Sequence, residues 1–224
     1  MTPAFSPRLE ILPAAQRNLW PELAETPADF TLYGGTAIAL RLAHRQSADF
    51  DFFTLESFEP GALLEKIPYL KGASLRQAAP NTLSVNVDRG GTVQLSYFGG
   101  LGIGQVAPAE NVEGPAFKVA SLIDLAGVKI AVLPQRVALR DYLDIHALLT
   151  QARIALPEML AAAGIIYGAQ FNALVSLKAL IYHKDFTLTD LPNSVRNDLL
   201  AAAKATDVQK LPKLSAFRER EANS

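Results

Sequence analysis

The chain has 224 residues, half of them hydrophobic, which is enough to bury one substantial core, or a core and a helical satellite, without covalent staples. It contains no cysteine, which fits a reducing compartment, and the cytoplasm is the expected location. With 21 basic against 22 acidic side chains, the overall charge speaks for no nucleic-acid partner, so such a partner would have to be met by a local patch.

The first thirty residues, broken by Arg8, Glu10, Arg17, Glu22 and Glu25, hold no uninterrupted apolar run of the signal-peptide type. Apolar stretches such as 130–133 and 161–167 are far shorter than the roughly 20 residues of a spanning helix, so no membrane partner is expected. Residues 8–25 carry Leu9, Leu12, Ala15, Leu19 and Leu23 at a roughly helical period that Pro13 and Pro21 interrupt, predicting one or two short helices. The run Phe30-Thr31-Leu32-Tyr33 favours a strand, Gly34-Gly35 stops it, and residues 36–45 have helical composition. Residues 48–53 then alternate polar and aromatic, the period of a strand with two unlike faces, so Asp49 and Asp51 share a side.

A short helix is predicted near 60–67. Residues 83–88 and 92–98 alternate on either side of Arg89-Gly90-Gly91, a hairpin pattern with Leu83, Val85, Val87, Val93, Leu95 and Tyr97 inward and Ser84, Asn86, Gln94 and Ser96 opposite. The Gly- and Pro-rich stretch 98–115 reads as a loop, with a last short strand at 117–120. From Ser121 the composition turns helical. Ser121 caps a helix that Pro134 closes; further helices are predicted over 137–152, 157–167, 170–183 and 192–205. A frayed basic tail carries Lys204, Lys210, Lys213, Arg218 and Arg220. The expected organisation is an α+β sheet domain over 1–120 and a helical domain over 121–224.

Two carboxylates at i and i+2 on a strand repel each other unless a cation lies between them. All-oxygen ligands that leave room for triphosphate oxygens suit Mg²⁺ with a nucleoside triphosphate. An isolated Asp-x-Asp is more often a pair of solvated aspartates, and an isolated Gly-Gly-Thr an ordinary turn. Together they differ, because Gly34, Gly35 and Thr36 place amide groups and a helix N-terminus, which favour phosphate, next to the metal pair. Arg45 either helps the strand pack or reaches phosphate, and both readings stay open; Ser47 is read as a turn or cap residue. His44, His146 and His183 are too scattered for a zinc site.

The block from Leu32 to Phe53, with Gly34-Gly35-Thr36, His44-Arg45, Ser47 and Asp49-Phe50-Asp51, closely resembles the signature of AbiEii/AbiGii-type nucleotidyltransferase toxins. A second block supports it: Asp124 to Lys129, Arg136, and Arg140-Asp141 through Asp144 resemble that family's later Lys, Arg and Lys-Asp-x-x-Asp motif. The resemblance covers residues 28–150. It implies a mixed sheet flanked by helices and followed by a helical domain, akin to the minimal polymerase-β-like fold. It also implies that Gly34, Gly35 and Thr36 hold the triphosphate and that Asp49 and Asp51 hold Mg²⁺; Lys129 and Arg136, with Arg45 on its phosphate reading, complete the expected nucleotide-binding set.

Lys129 is suited to neutralise phosphate as a point charge and Arg136 to grip it as a planar fork. Asp141 and Asp144, one helical turn apart, could orient these cations or accept a proton; orientation is the role expected of Asp144, and Asp141 is grouped with the catalytic residues Asp49, Asp51 and Lys129. The expected activity is transfer of a nucleoside monophosphate to an acceptor hydroxyl, implied to be on tRNA or another RNA, by a toxin with a cognate antitoxin protein. One departure tempers it. Where related transferases carry a third carboxylate on a further strand, this sequence offers Gln94 and Ser96, and the alternative is a catalytically weak nucleotide-binding module. Arg140 also stands in place of Lys.

Overall fold

The computed structural model describes residues 4–115, 117–182 and 190–218. The chain divides into two compact units, residues 1–102 with 109–120, and residues 103–108 with 121–224.

The first unit begins with a 3-10 turn (Leu9–Ile11), α1 (Ala14–Leu19) and a second 3-10 segment (Trp20–Glu25). Pro13 stands at the N-cap of α1 and Pro21 inside the 3-10 segment, which is why the helical period of this region yields short pieces. Strand β1 (Thr31–Tyr33) runs directly into α2 (Gly34–Leu42), which Ala43 ends in the left-handed conformation. Then come β2 (Asp49–Phe53), α3 (Pro60–Lys66), β3 (Ser74–Ala79), β4 (Thr82–Asp88), β5 (Thr92–Phe98), β6 (Glu110–Asn111) and β7 (Lys118–Val119).

These strands form one mixed sheet in the order β3-β4-β5-β2-β1-β7-β6. β2 pairs antiparallel with β1 and parallel with β5, and β1 pairs parallel with β7. The hairpin read from the sequence is β4–β5, with Val85 opposite Leu95. β3 was not foreseen, because every one of its residues is exposed and its sequence carries no alternation for a buried face to impose. β6 interrupts the stretch expected to be a loop.

One face of β2 fixes the other. Phe50 and Phe52 are fully buried, Phe52 stacked on Tyr97 at 5.4 Å and set edge-on to Phe117 at 5.9 Å, while Trp20 meets Phe117 at 5.3 Å. Each such ring contributes about 1.5–3 kcal/mol on burial. A one-residue slip of β2 would turn both rings outward and bury Asp49 and Asp51, so the aromatic cluster sets the direction of the acids.

The second unit contains α4 (Leu122–Val132), α5 (Leu139–Thr150), α6 (Leu156–Tyr167), α7 (Ala173–Ile181) and α8 (Asn193–Lys204), with α4 packed on α6. Ser121 caps α4 by accepting from the Asp124 amide at 3.1 Å, and Asn172 caps α7 through the amides of Leu174 and Val175. His183, Arg220 and the predicted end of the fourth of these helices at 183 lie outside the described residues. Gln105 donates its amide to the Arg218 carbonyl at 2.8 Å and accepts from the amides of Phe217 and Arg218, so residues 217–218 of the tail expected to fray are tied down by backbone pairing. No described helix is long and apolar enough to cross a membrane.

Candidate active site

Asp49, Asp51 and Phe53 lie half-buried on the face of β2 opposite Phe50 and Phe52. Asp51 is paired in register with Tyr33, the residue that leads into the glycine turn. Gly34 has φ of +76°, a conformation that disfavours any L side chain, and a Cβ built there would lie 2.5 Å from Asp51 Oδ2. The backbone of the turn and the carboxylate are thus in direct apposition. A Cβ at Gly35 would run into the Arg45 guanidinium and sit 3.0 Å from Ser47 Oγ. Gly34 is required by its backbone conformation, whereas a methyl at Gly35 would have to displace the flexible end of Arg45.

The remaining residues of the first block close around the same point. The Thr36 hydroxyl donates to the carbonyl of Asp49, and Thr36 is buried, so this side chain ties the start of α2 to β2. Ser47 Oγ donates to Asp49 Oδ1 at 3.1 Å, orienting one carboxylate. Arg45 donates to the Gln46 carbonyl at 2.8 Å and leans over Gly35. Gly34, Gly35, Thr36, Arg45, Asp49 and Asp51, singled out from the sequence as nucleotide or metal residues, therefore form one cluster within the first unit.

Beyond β2, register places Gln94 beside Asp49 and Ser96 beside Asp51. Among the described residues no third His, Cys or acidic side chain joins the two aspartates to complete a metal-binding group. The pair still fits Mg²⁺: two half-buried carboxylates share one face of β2, and such an ion would take its other ligands from water and phosphate.

In the second unit, Lys129 on α4 is buried and reaches Asp141 Oδ1 at 2.9 Å and Asp144 Oδ2 at 2.7 Å on α5. Arg136 binds the same Asp141 through two nitrogens, Nε to Oδ2 at 3.0 Å and Nη2 to Oδ1 at 3.2 Å. Asp141 and Asp144 are fully buried, whereas half of the Arg136 side chain is exposed. The sequence predicts an orienting role for Asp144 and groups Asp141 with the catalytic residues; in the structure Asp141 holds both Lys129 and Arg136, and Asp144 holds Lys129. Two cations meet two carboxylates, so Asp141 sits as a holder of both cations, and Arg136 keeps an accessible fork. Arg140 is exposed and stands outside this network.

Asp124, part of the second sequence block with no role read for it, clamps the 103–108 segment. It accepts from the amides of Val106 at 2.7 Å and Ala107 at 3.1 Å and from the Ser121 hydroxyl at 2.5 Å. Burial raises its carboxyl above the usual range, and these hydrogen bonds work against that shift. Its signal was the Ser-x-x-Asp spacing at a helix start. His146 pairs with Asp198 at 2.8 Å, joining α5 to α8.

A mixed sheet presenting an Asp-x-Asp pair against a strand–Gly-Gly–helix turn, followed by a helical region, defines a nucleotidyltransferase fold. Solved structures agree. MenT4, a nucleotidyltransferase toxin of Mycobacterium tuberculosis H37Rv, superposes with a TM-score of 0.59 at 14% identity over 87% of this chain and 83% of its own. A candidate nucleotidyltransferase of H. pylori gives 0.52 at 17% identity over 85% of this chain and 90% of its own. An uncharacterised Aquifex aeolicus (strain VF5) protein, aq_aa25, is 29% identical over 160 residues, 70% of this chain and 75% of its own. The model of the AbiEii nucleotidyl transferase toxins of type IV toxin–antitoxin systems matches residues 22–220, and the chain belongs to that family.

Proposed function

We propose that this toxin-family protein transfers a nucleoside monophosphate from a nucleoside triphosphate to a hydroxyl of an RNA acceptor, tRNA being the class the family resemblance suggests. The new bond joins the acceptor oxygen to the α-phosphorus as the bond to pyrophosphate breaks, the electron pair leaves with pyrophosphate, and the hydroxyl proton passes to water. The observation that carries the reading is the apposition of Asp51 Oδ2 to the Gly34 backbone, with Asp49 on the same face of β2.

In this reading Asp49 and Asp51 hold Mg²⁺, which when bound supplies charge neutralisation at the triphosphate oxygens. The Gly34-Gly35 backbone cradles phosphate, Thr36 and Ser47 keep the turn and Asp49 in place, and Arg45 offers phosphate a cation. Lys129 and the exposed part of Arg136 keep the nucleotide-binding role that the family resemblance implies, with Asp141 and Asp144 positioning them. A cognate antitoxin protein and a cytoplasmic setting belong to the same reading.

The second reading, a nucleotide-binding module with weak transfer, is favoured by Gln94 and Ser96 standing where a third carboxylate would serve a second metal. The protein is incubated with each labelled triphosphate, Mg²⁺ and total RNA. Label on RNA supports transfer; binding without label on any acceptor establishes the second reading. Calorimetry with Mg²⁺-nucleotide then tests the site, since Asp49→Ala/Asp51→Ala is expected to weaken affinity at least about tenfold, and unchanged affinity refutes it.

A further inference from the structure

The chemistry assigned to Asp49 and Asp51 leaves unused the polar face of the sheet beside them. Register lines up Asp49, Gln94, Asn86 and Ser74 in one row across β2, β5, β4 and β3, and Asp51, Ser96, Ser84 and Gln77 in the next. On the other face of the same strands, Leu95 and Val85 belong to the core. Ser84 Oγ donates to Ser96 Oγ at 3.2 Å within the second row. In the first row Gln94 and Asn86 are half-buried, and Asn86 Oδ1 is buried with no protein donor in reach. A buried carbonyl oxygen without a partner costs stability, and an aliphatic residue at that position would avoid the cost. An orphaned acceptor on β4, two strands from the acid pair, beside the half-buried amide of Gln94 on the strand between, marks a place where a ligand donates.

Strand order says which ligand. The glycine turn expected to hold the triphosphate follows β1, on one side of β2, while Gln94 and Asn86 stand on β5 and β4, on the other side. In phosphoryl and nucleotidyl transfer the attacking and leaving oxygens lie roughly in line across the phosphorus. With the leaving pyrophosphate toward β1, the attacking hydroxyl approaches from β5. Beyond Asp49 and Asp51 the two rows hold amides and hydroxyls and no lysine or arginine, so they suit the uncharged edge of a base or ribose and not a phosphate backbone.

We infer that Gln94 and Asn86 form the acceptor subsite, holding by hydrogen bonds the terminal nucleoside of the RNA whose hydroxyl is modified. The inference rests on the transferase reading and deepens it. The test uses the full chain, total RNA as acceptor probe and the labelled triphosphate that the wild type uses. Gln94→Met and Asn86→Leu are each expected to raise the RNA concentration for half-maximal transfer about tenfold, the effect of losing one or two hydrogen bonds. The affinity for Mg²⁺-triphosphate, measured by calorimetry without RNA, is expected to stay within about twofold.

Asn86→Leu is also expected to melt at or above the wild-type temperature, because it removes an unpaired buried acceptor. A purely structural asparagine would show the reverse, and a lower melting temperature overturns the argument from the orphaned oxygen. Unchanged RNA half-saturation, or a matching loss of triphosphate affinity, overturns the subsite. Label on protein instead of RNA overturns it too while leaving transferase activity standing. Absence of wild-type transfer to any acceptor removes the transferase reading and the subsite together.

Discussion

Replacing Lys129 by Met probes the network that the second unit is built around. The ammonium lies 2.9 Å from Asp141 and 2.7 Å from Asp144, both fully buried, and only 7% of the lysine side chain is exposed. Methionine matches the aliphatic stem but leaves Asp144 facing a buried site without this cation, and Asp141 with Arg136 as its remaining cation in the network. Removing the shared cation from two buried ion pairs costs about 3–5 kcal/mol, far more than the pairs' net worth. In a domain of this size that loss lowers the melting temperature by roughly 10 °C.

Arg136→Met serves as the comparison. Its side chain is half exposed, so solvent screens its pairing with Asp141 and the expected loss is only about 1 kcal/mol. Urea unfolding followed by helical circular dichroism reports mainly the helical unit. The single tryptophan, Trp20, lies in the sheet unit and reports that unit separately. A Lys129→Met midpoint equal to wild type, or equal losses for the two substitutions, would refute the account of a buried network closed by Lys129.

Two further outcomes follow from the first unit. Gly34→Ala places a methyl against Asp51 Oδ2 in a left-handed backbone; it is expected to cost about 1–2 kcal/mol in thermal unfolding and to weaken Mg²⁺-nucleotide binding, and undiminished binding would show that the turn does not position Asp51. The buried chain of hydroxyls Thr26, Tyr69 and Tyr97, linked at 2.6 and 2.8 Å, holds two phenols neutral, burial pushing Tyr69 up to about 12 and Tyr97 well above its ordinary value. The native state therefore binds these protons more tightly than the unfolded chain. Their contribution is present below the unfolded phenol value of about 10 and is lost as pH rises from there through about 12. Denaturant midpoints across that range should fall more steeply in the wild type than in Tyr69→Phe, and parallel curves would contradict this.

Much of the site could be read from the chain because its parts are local. A strand, two glycines and a helix start are consecutive, and a strand's two-residue period puts Asp49 and Asp51 on one side whatever the rest of the fold does. The helical spacing of Asp141 and Asp144 likewise declared a shared face. Thr36 shows the limit: its composition fits a phosphate turn, yet its hydroxyl is spent on the Asp49 carbonyl, a partner thirteen residues away that no local pattern names.

By itself, then, the sequence determined the class of fold, the helices of the second unit, the β4–β5 hairpin and the side-by-side acids, since each follows from periodicity or turn chemistry within a short window. Tertiary structure alone decided that β2 lies between β1 and β5, that the all-exposed β3 extends the sheet, and that Asn86 and Gln94 stand in a row with Asp49. It also decided that Lys129 is enclosed by two acids. The physical reason is common to all of these: strand neighbours and buried charge partners are chosen by long-range packing, which seats Phe50, Phe52, Tyr97 and Phe117 in one aromatic cluster and thereby turns Asp49 and Asp51 to the opposite face of the sheet.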